Sequence, residues 1–270
     1  MPIISGSPAE AYEQYFVPAM FFRWAQVLLR HAKLRQGEHV LDVACGTGIV
    51  SRTAAPLVGP EGRIVGLDIN PAMLDVARTS TPPSGAGIDW HQGDALALPF
   101  TDGSFDAVLC QHGMQFFPDR GKAVREMCRV LKPGGRATVI VLDSLDRHPV
   151  FETIMRSVAR HLSCPVSAAA KPFDLSDPEE LLQYFTSAGF ESTNLYEESI
   201  MATFPDPQRF VLLAVTSSAA AIPTFAQLDG LQRARLIDDV SADAHAAVNA
   251  ATSNAAVSFP MYAHVVNAIK

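Results

Sequence analysis

The sequence predicts an α/β fold, built on a doubly wound and mostly parallel sheet of seven strands. Short apolar segments alternate with amphipathic ones along the first half of the chain, as expected for parallel strands joined by helices. Two apolar segments end in an acid, at Asp42 and at Asp68. A glycine turn with Gly46 and Gly48 follows the first acid, and an amphipathic run from Ile49 to Leu57 follows the turn. This order predicts strand, tight turn and helix.

The strands are assigned in chain order, near residues 38–43, 63–68, 88–91, 105–110, 136–142, 190–203 and 258–267. The last segment is apolar, aromatic and β-branched, but its periodicity is also compatible with a helix. Between the fifth and sixth strands, Asp177 and Pro178 predict a capped helix start, and the helix is expected to end at Gly189. Residues 8–34 predict an N-terminal helical segment rich in aromatic side chains.

Composition limits the class of protein. With 48% hydrophobic and 18% charged residues over 270 positions, the chain has the composition of a globular enzyme with ample core. Its net charge of −7 argues against a nucleic-acid partner. The uncharged run Val211–Leu228 contains Pro223, so we expect a buried, broken helix there and no membrane span.

The four cysteines have no C-x-x-C spacing, which predicts reduced structural thiols in a cytoplasmic protein. A thiolate site of the arsenite-binding kind is the alternative. The eight histidines show no metal-binding spacing, so no metal is expected.

The glycine turn and the second acid together predict a site for an adenosine cofactor. Glycines allow backbone to approach a ligand closely, and a helix N-terminus favours negative charge. Asp68 lies 20 residues after Gly48, where a carboxylate can accept both ribose hydroxyls. A dinucleotide site would need a third glycine where Ser51 stands. A nicotinamide oxidoreductase is therefore a disfavoured alternative.

The pattern Asp42-x-Ala44-x-Gly46-x-Gly48 resembles motif I of the class I S-adenosylmethionine methyltransferases, with Ala44 in place of the first glycine. Alanine still permits fairly close packing there. Three further segments occur in the order typical of that family: Gln92–Ala95, Ser104–Cys110 followed by Gln111-His112-Gly113, and Arg129–Arg136 with its Pro-Gly-Gly turn. Over roughly residues 10–145, the set is similar to small-molecule methyltransferases of the ubiquinone/menaquinone C-methyltransferase type.

The resemblance implies a Rossmann-like sheet with its last strand antiparallel beside the fifth, S-adenosylmethionine as cofactor and S-adenosylhomocysteine as product. It also implies cofactor contacts. Asp68 would bind the ribose and Asp94 the adenine amino group, while Asp42 would orient the glycine loop or the cofactor ammonium. The remaining expected cofactor contacts are Ala44, Gly46, Gly48, Ile69, Met73, Gly93, Ala95, Gln111 and Tyr15. Met73 is alternatively a core residue, and Tyr15 alternatively a packing aromatic.

Acceptor chemistry is predicted around the end of the fourth strand. His112 is the candidate general base, because imidazole titrates near neutral pH. Its alternative role is to line the pocket, since many methyltransferases act by positioning alone. Gln115 and Phe116 are expected to wall the acceptor pocket, and His148 is a further candidate there.

The expected domain organisation follows from these assignments. Residues 1–35 would cover the active site and 36–145 would bind S-adenosylmethionine. Residues 146–175 and 205–253 would form a helical lid, and 176–204 and 254–270 would complete the sheet. The expected activity is methyl transfer to the O or C atom of a small apolar metabolite, such as a quinone precursor or polyketide. A cofactor-binding protein that transfers no methyl group is the alternative. N-methylation and a homodimer stay open.

Overall fold

The computed structural model describes residues 7–80, 84–219 and 222–270. The first six residues of the expected N-terminal segment lie outside the described residues. The chain forms two compact units. The sheet unit contains the described chain up to Leu142, and also Leu175–Glu198 and Ala263–Lys270. The helical unit contains Asp143–Asp174 and Ser199–Tyr262.

The sheet has eight strands in the order β3-β2-β1-β4-β5-β8-β6, with β7 paired to β8. They are β1 (His39–Val43), β2 (Arg63–Asp68), β3 (Gly87–Gln92), β4 (Phe105–Gln111), β5 (Leu131–Leu142), β6 (Ser192–Phe204), β7 (Thr252–Ser253) and β8 (Ala256–Ile269). Strands β1 to β5 pair in parallel, and β8 runs antiparallel to β5, which confirms the predicted topology. The sequence analysis missed β7, because a strand of two residues carries no periodicity.

The strand order places the site. Strand β1 pairs with β2 on one side and with β4 on the other, so the direction of winding reverses between β1 and β4. Ligands of open α/β sheets bind in the crevice at the carboxyl ends of the strands at this switch point. The loop after Val43 and the loop after Gln111 therefore come to the same edge of the sheet.

Strand β5 begins five residues earlier than predicted. Its register with β4 jumps from the pair Phe105–Leu131 to the pair Ala107–Arg136. The Pro-Gly-Gly segment lies in this irregularity, where Gly134 has φ +74°. The predicted turn is thus present, but it interrupts a strand that has already begun.

Helices surround the strands of the sheet unit. They are α1 (Pro8–Ala11), a π-helix (Tyr12–Phe21), α2 (Phe22–Ala32), α3 (Ile49–Val58), α4 (Pro71–Thr79), α5 (Arg120–Val130) and α8 (Pro178–Ser187). The predicted cap of α8 is confirmed, because the Asp177 carboxylate accepts the N–H of Glu179 at 2.8 Å. The π-helix was not predicted. Pro18 lies inside it, and a proline in an α-helix would clash with the carbonyl of the preceding turn.

The helical unit consists mainly of α6 (Pro149–His161), α7 (Val166–Ala169), α9 (Pro207–Ala219), α10 (Pro223–Ala226) and α11 (Gly230–Ala250). The break before Pro223 confirms the predicted interruption of the uncharged run. Asp243 on α11 accepts hydrogen bonds from Ser157 and Arg160 of α6, which joins the two helices. Within the described residues, no helix combines the length and apolarity needed to cross a membrane.

Candidate active site

The loop between β1 and α3 is held by backbone hydrogen bonds. The N–H of Cys45 donates to the carbonyl of Leu67 at 3.0 Å, and the N–H of Gly48 donates to the carbonyl of Cys45 at 2.9 Å. Gly46 and Gly48 have φ values of +56° and +85°. Glycine therefore suits both positions for two reasons: the backbone there is left-handed, and the absence of a side chain lets a ligand approach the backbone closely.

Ala44 stands where the family pattern has glycine, and it adopts a backbone conformation that the sequence did not indicate. Its φ is +55°, so the position demands a left-handed backbone in addition to the close packing that was expected. Its methyl group also occupies space next to the loop after β4. A Cβ built on Gly113 would lie 2.6 Å from the Ala44 Cβ. The loops that follow β1 and β4 thus pack closely together, with the methyl group of Ala44 against the backbone of Gly113.

We expect Ala44→Gly to raise the free energy of unfolding by about 0.5–1 kcal/mol, because relief of the left-handed strain outweighs the added freedom of the unfolded chain. Urea unfolding at a constant m-value measures the change. Ala246→Gly, at an exposed position inside α11, is the matched control and should destabilise by about 1 kcal/mol. Destabilisation of similar size in both variants would contradict the strain at Ala44.

Asp68 bridges the loops that follow β1 and β2. Its Oδ2 accepts the N–H of Gly46 and its Oδ1 accepts the N–H of Asn70, both at 2.8 Å. The side chain is buried at the end of β2. Each carboxylate oxygen has a second lone pair, so the group can accept further hydrogen bonds from a ligand.

Asp42 anchors the first turn of α3. Its Oδ2 accepts the N–H of Ser51 at 3.1 Å and the Ser51 hydroxyl at 2.7 Å. Its Oδ1 is buried without a hydrogen-bond partner among the described residues. Burial raises the pKa of this carboxyl from 3.8 to about 7, against the lowering effect of the Ser51 hydrogen bonds. Asp42 therefore has one oxygen bound to the protein and one left for a ligand.

Buried polar atoms without partners gather around this edge of the sheet. Within the described ranges they include Glu13 Oε2, Trp24 Nε1, Asp42 Oδ1, Thr47 Oγ1, Gln111 Oε1 and Gln115 Oε1. All six belong to the N-terminal helices, to β1 and the glycine loop, or to the end of β4 and its loop. Such an atom costs about 1–3 kcal/mol when it stays unsatisfied. The cluster therefore fits a polar ligand that supplies the missing hydrogen bonds.

The N-terminal helices place Tyr12 beside the glycine loop. A Cβ built on Gly46 would lie 4.0 Å from Tyr12 Cε1, and the Tyr12 ring stacks on Phe21 at 4.9 Å. Burial and the nearby Asp68 raise the pKa of the Tyr12 hydroxyl well above its ordinary value. The resemblance to similar enzymes pointed to Tyr15, and no signal in the sequence singled out Tyr12. The cofactor role of Tyr15, which is half-buried in the π-helix, stays a prediction.

Arg52 fastens the π-helix to the glycine loop. Its Nη2 lies 2.6 Å from Glu13 Oε1, and its Nη1 donates to the carbonyl of Thr47. Both side chains of the ion pair are largely buried. No pattern in the sequence indicated this pair, because its members are 39 residues apart.

His112 lies at the end of β4 in a left-handed conformation, with φ +51°. Its ring is buried between Trp24, edge-on at 5.5 Å, and Phe21 at 5.8 Å. The main-chain N–H of His112 donates a hydrogen bond to the carbonyl of Ile140 at 2.9 Å. A non-glycine residue in this region is uncommon, and such strain concentrates at functional sites. The neighbouring Gln111 amide donates to the carbonyl of Phe21 at 3.2 Å.

The loop after His112 presents one buried and one exposed side chain. The Gln115 side chain is buried, and the main-chain carbonyl of Gln115 accepts a hydrogen bond from the Arg120 guanidinium at 3.3 Å. Phe116 is 53% exposed. The predicted pocket wall at these two positions thus has a polar inner part and an apolar outer part.

The expected adenine contacts lie at the ends of β2 and β3. Gly93 donates its N–H to the carbonyl of Asp68 at 3.0 Å, so the two loops are joined here. Asp94 is exposed and accepts the N–H of Leu96 at 2.8 Å, whereas Ala95 is buried. Ile69 is 66% exposed, while Met73 is partly buried on α4. Their adenine contacts stay predictions.

His148 belongs to the helical unit. It precedes the first turn of α6, where its Nδ1 donates to the carbonyl of Ser144 at 2.8 Å. Its Nε2 accepts the N–H of Tyr262 at 2.9 Å. Both ring nitrogens are thus used within that unit, and burial lowers the pKa of the imidazole. A role for His148 in the acceptor pocket stays a prediction.

All four cysteines are free thiols, and Cys45, Cys110 and Cys128 are buried. Burial raises the pKa of Cys110 to about 12, so this thiol stays protonated at neutral pH. No group of three or more His, Cys, Asp or Glu side chains suited to a metal ion occurs in the part of the chain that the structure describes.

Comparison with known proteins identifies the family. Residues 41–139 match the family model described as a methyltransferase domain. A 2-phytyl-1,4-naphtoquinone methyltransferase of Thermosynechococcus vestitus is 42% identical over 187 residues, which cover 64% of this chain and 81% of that protein. The chain belongs to the class I S-adenosylmethionine methyltransferases. The match includes both acids and the glycine loop.

Other members of the family match over shorter stretches. A 2-phytyl-1,4-naphtoquinone methyltransferase of Synechococcus elongatus is 37% identical over 49% of this chain and 56% of that protein. A ubiquinone/menaquinone biosynthesis C-methyltransferase of Hahella chejuensis is 43% identical over 43% of this chain and 48% of that protein. The chain thus spans about half the length of these two curated relatives.

Solved structures confirm the fold that family membership implies. The YcgJ protein of Bacillus subtilis superposes with a TM-score of 0.58 at 20% identity, over 92% of this chain and 98% of that protein. Haemonchus contortus phosphoethanolamine N-methyltransferase 2, in complex with phosphomonomethylethanolamine and S-adenosylhomocysteine, gives 0.57 at 18% identity, over 97% of this chain and 56% of that protein. At these identities the likeness concerns the fold alone.

Proposed function

We propose that the chain binds S-adenosylmethionine at the switch-point edge and transfers its methyl group to the O or C atom of a small, largely apolar metabolite. A quinone precursor is the first candidate acceptor, because the curated relatives described above are named as quinone methyltransferases. The cluster of unpartnered buried atoms around the glycine loop, above all Asp42 Oδ1 and Thr47 Oγ1, carries the proposal.

The residues that would hold the cofactor fit its chemistry. Asp68 would accept from the ribose hydroxyls with the lone pairs that Gly46 and Asn70 leave free. Asp42 Oδ1 and Thr47 Oγ1 would meet the amino-acid end, and Asp94 would meet the adenine edge. When bound, S-adenosylmethionine supplies a methyl group on a positively charged sulfur, so no metal is required.

The chain's own part in transfer is to position the acceptor, exclude water and accept a proton. Phe21, Trp24 and His112 form a buried aromatic wall at the end of β4, which suits an apolar ring. An imidazole nitrogen of His112 would accept the proton of an acceptor hydroxyl. The wall also keeps water from the reacting atoms, and positioning of this kind lowers the barrier without further chemistry.

We expect His112→Asn to lower kcat by about a hundredfold or more, as loss of a general base does. The Kd for S-adenosylmethionine should change only a few-fold. Asparagine tolerates the left-handed backbone of this position, so the variant keeps the loop geometry. His91→Asn, at an exposed position on β3, is the matched control. Unchanged turnover in His112→Asn would reduce His112 to a residue that lines the pocket.

Thermal stability with S-adenosylmethionine, S-adenosylhomocysteine and NAD tests the proposed function first. A ligand at a hundredfold excess over its Kd adds about 2.7 kcal/mol to the free energy of unfolding. We expect a shift of Tm with the two sulfur compounds only, followed by methylation of a quinone precursor in a panel with phenols and polyketides, read by mass. A shift with NAD alone would overturn the proposal. Binding without product would favour the non-transferring alternative.

The proposal also covers the cellular location, the kind of acceptor, the segments that cover the acceptor and the oligomeric state. A cytoplasmic location is supported by the four free cysteines. A small acceptor in place of a nucleic acid is supported by the net charge of −7. From chain order alone, residues 146–175 and 205–253 are proposed to cover the acceptor, and slower hydrogen exchange there on acceptor binding would test this. Mass in solution decides whether the chain forms a homodimer.

A further inference from the structure

Three neighbouring strands carry one row of side chains that points to a single face of the sheet. Asp42 of β1 is paired with Gly66 of β2, and Gly66 is paired with Trp90 of β3. Residues paired across strands point to the same face. Across the three strands this row thus holds the carboxylate of Asp42, the position of Gly66 without a side chain, and the indole of Trp90. Gly66 leaves open the space between the other two side chains.

The Trp90 ring fills that space and reaches the glycine loop. A Cβ built on Gly66 would lie 2.4 Å from Trp90 Cζ3, and a Cβ built on Gly48 would lie 2.2 Å from Trp90 Cη2. Real Cβ atoms do not approach other atoms so closely. The indole thus packs directly against Gly66 of β2 and against Gly48, the residue that caps the N-terminus of α3.

We infer that Trp90 is a positioning residue of the cofactor site, whose indole packs against the glycine loop and supports it. The inference rests on the proposed function, because the ligand that the loop positions is S-adenosylmethionine. Trp90 acts through Gly48, whose left-handed conformation sets the direction of the loop. Binding groups must be held within about 0.5 Å, so a gap under Gly48 loosens the site without removing any ligand contact.

A double-mutant cycle between Trp90 and Gly66 tests the inference. The four proteins are the wild type, Gly66→Ala, Trp90→Ala and the double variant, and the Kd for S-adenosylmethionine is measured by calorimetry. Gly66 has no positive φ, so alanine adds no backbone strain, and its methyl group would meet the Trp90 ring and, at 3.1 Å, the Cys45 Sγ. We expect each single variant to weaken binding by about tenfold. In the Trp90→Ala background, Gly66→Ala should add less than about twofold, because the clash with the indole has gone and only the 3.1 Å contact with Cys45 Sγ is left.

Phe100→Ala is the matched control. Phe100 is a partly buried aromatic next to β3, packed edge-on against Phe105 at 5.1 Å and away from the glycine loop. It should lower Tm as Trp90→Ala does and leave the Kd unchanged. Equal loss of affinity in Phe100→Ala and Trp90→Ala, or an equal effect of Gly66→Ala in both backgrounds, would overturn the inference.

A measurement without ligand separates this inference from the proposed function. The amides of Cys45, Gly46 and Gly48 are hydrogen-bonded within the loop or to its neighbours, so their hydrogen exchange reports loop order directly. We expect faster exchange at these amides in Trp90→Ala than in Phe100→Ala. A wild type that does not bind S-adenosylmethionine would refute the proposed function. Unchanged exchange would refute the role of Trp90.

Discussion

Replacement of Asp68 by alanine is expected to weaken S-adenosylmethionine binding by about a hundredfold or more, because two charge-assisted hydrogen bonds to loop amides and the acceptors for the ribose are lost together. The Gly46 and Asn70 amides, which donate to this carboxylate at 2.8 Å, would lose their common acceptor. Calorimetric titration measures the change in Kd.

Two variants show whether charge or hydrogen bonding carries the effect. Asp68→Asn keeps one acceptor oxygen and should retain part of the affinity. Asp75→Ala removes the same charge from an exposed position on α4, where Asp75 pairs with Arg78, and should leave the Kd unchanged. Binding in Asp68→Ala within threefold of the wild type would contradict the placement of the ribose at the end of β2.

The second large effect is a dependence of stability on pH that Asp42 introduces. An unfolded aspartate ionises near its ordinary pKa of 3.8, whereas burial raises the pKa of Asp42 to about 7. Between these values the unfolded chain binds fewer protons than the folded chain, so the free energy of unfolding falls as pH rises. A difference of about three pKa units sets an upper bound of about 4 kcal/mol on this loss.

Asp42→Asn removes the ionisation and leaves an oxygen that can accept from Ser51. We therefore expect the variant to be more stable than the wild type at pH 8, by about 2–4 kcal/mol, and to differ little from it at pH 4. Urea unfolding at both pH values measures the difference, with Asp75→Asn as the control. A constant difference between the two proteins across this range would contradict the raised pKa.

The same ionisation should appear in ligand binding. The charged groups around Asp42 are Asp68 and Arg52, and the protonated Tyr12, Cys45 and Cys110 lie nearby. A cofactor with a positive ammonium and sulfonium favours the ionised carboxylate, so binding should release a proton below pH 7. We expect the affinity of the wild type to rise up to about tenfold per pH unit between pH 5 and 7, and that of Asp42→Asn to stay flat.

The parts of the fold that could be predicted from the sequence are those with local signals. Strands β1, β2 and β4 contain short apolar runs, and α8 begins with an Asp-Pro pair, so the bounds of these strands and the start of α8 were predicted to within one residue. The π-helix and β7 could not be predicted. The first contains Pro18, which disfavours α-helical winding but does not by itself signal a π-helix, and the second is a two-residue pairing.

The residues of the candidate site likewise fall into those with a local signal in the sequence and those without one. The acids and glycines that hold a ligand at strand ends follow a spacing that can be recognised in the sequence. Tyr12 and Trp90 could not be found in that way, because each reaches the glycine loop from a distant part of the chain. Arg52 follows the loop directly, but its partner Glu13 lies 39 residues away. The left-handed backbone of Ala44 and His112 was also invisible, since neither residue type signals it as glycine does.

The contact between Ala44 and Gly113 has a consequence for the history of this family. As long as position 44 carries a methyl group, a side chain at position 113 would be forced to within 2.6 Å of it, so the two positions cannot change independently. Glycine at position 44 removes the larger obstacle and leaves the Cys110 sulfur 3.1 Å and the Phe117 Cζ 3.7 Å from the new Cβ. Evolutionary replacements should therefore come in pairs, with alanine or serine tolerated at 113 in lineages that have glycine at 44.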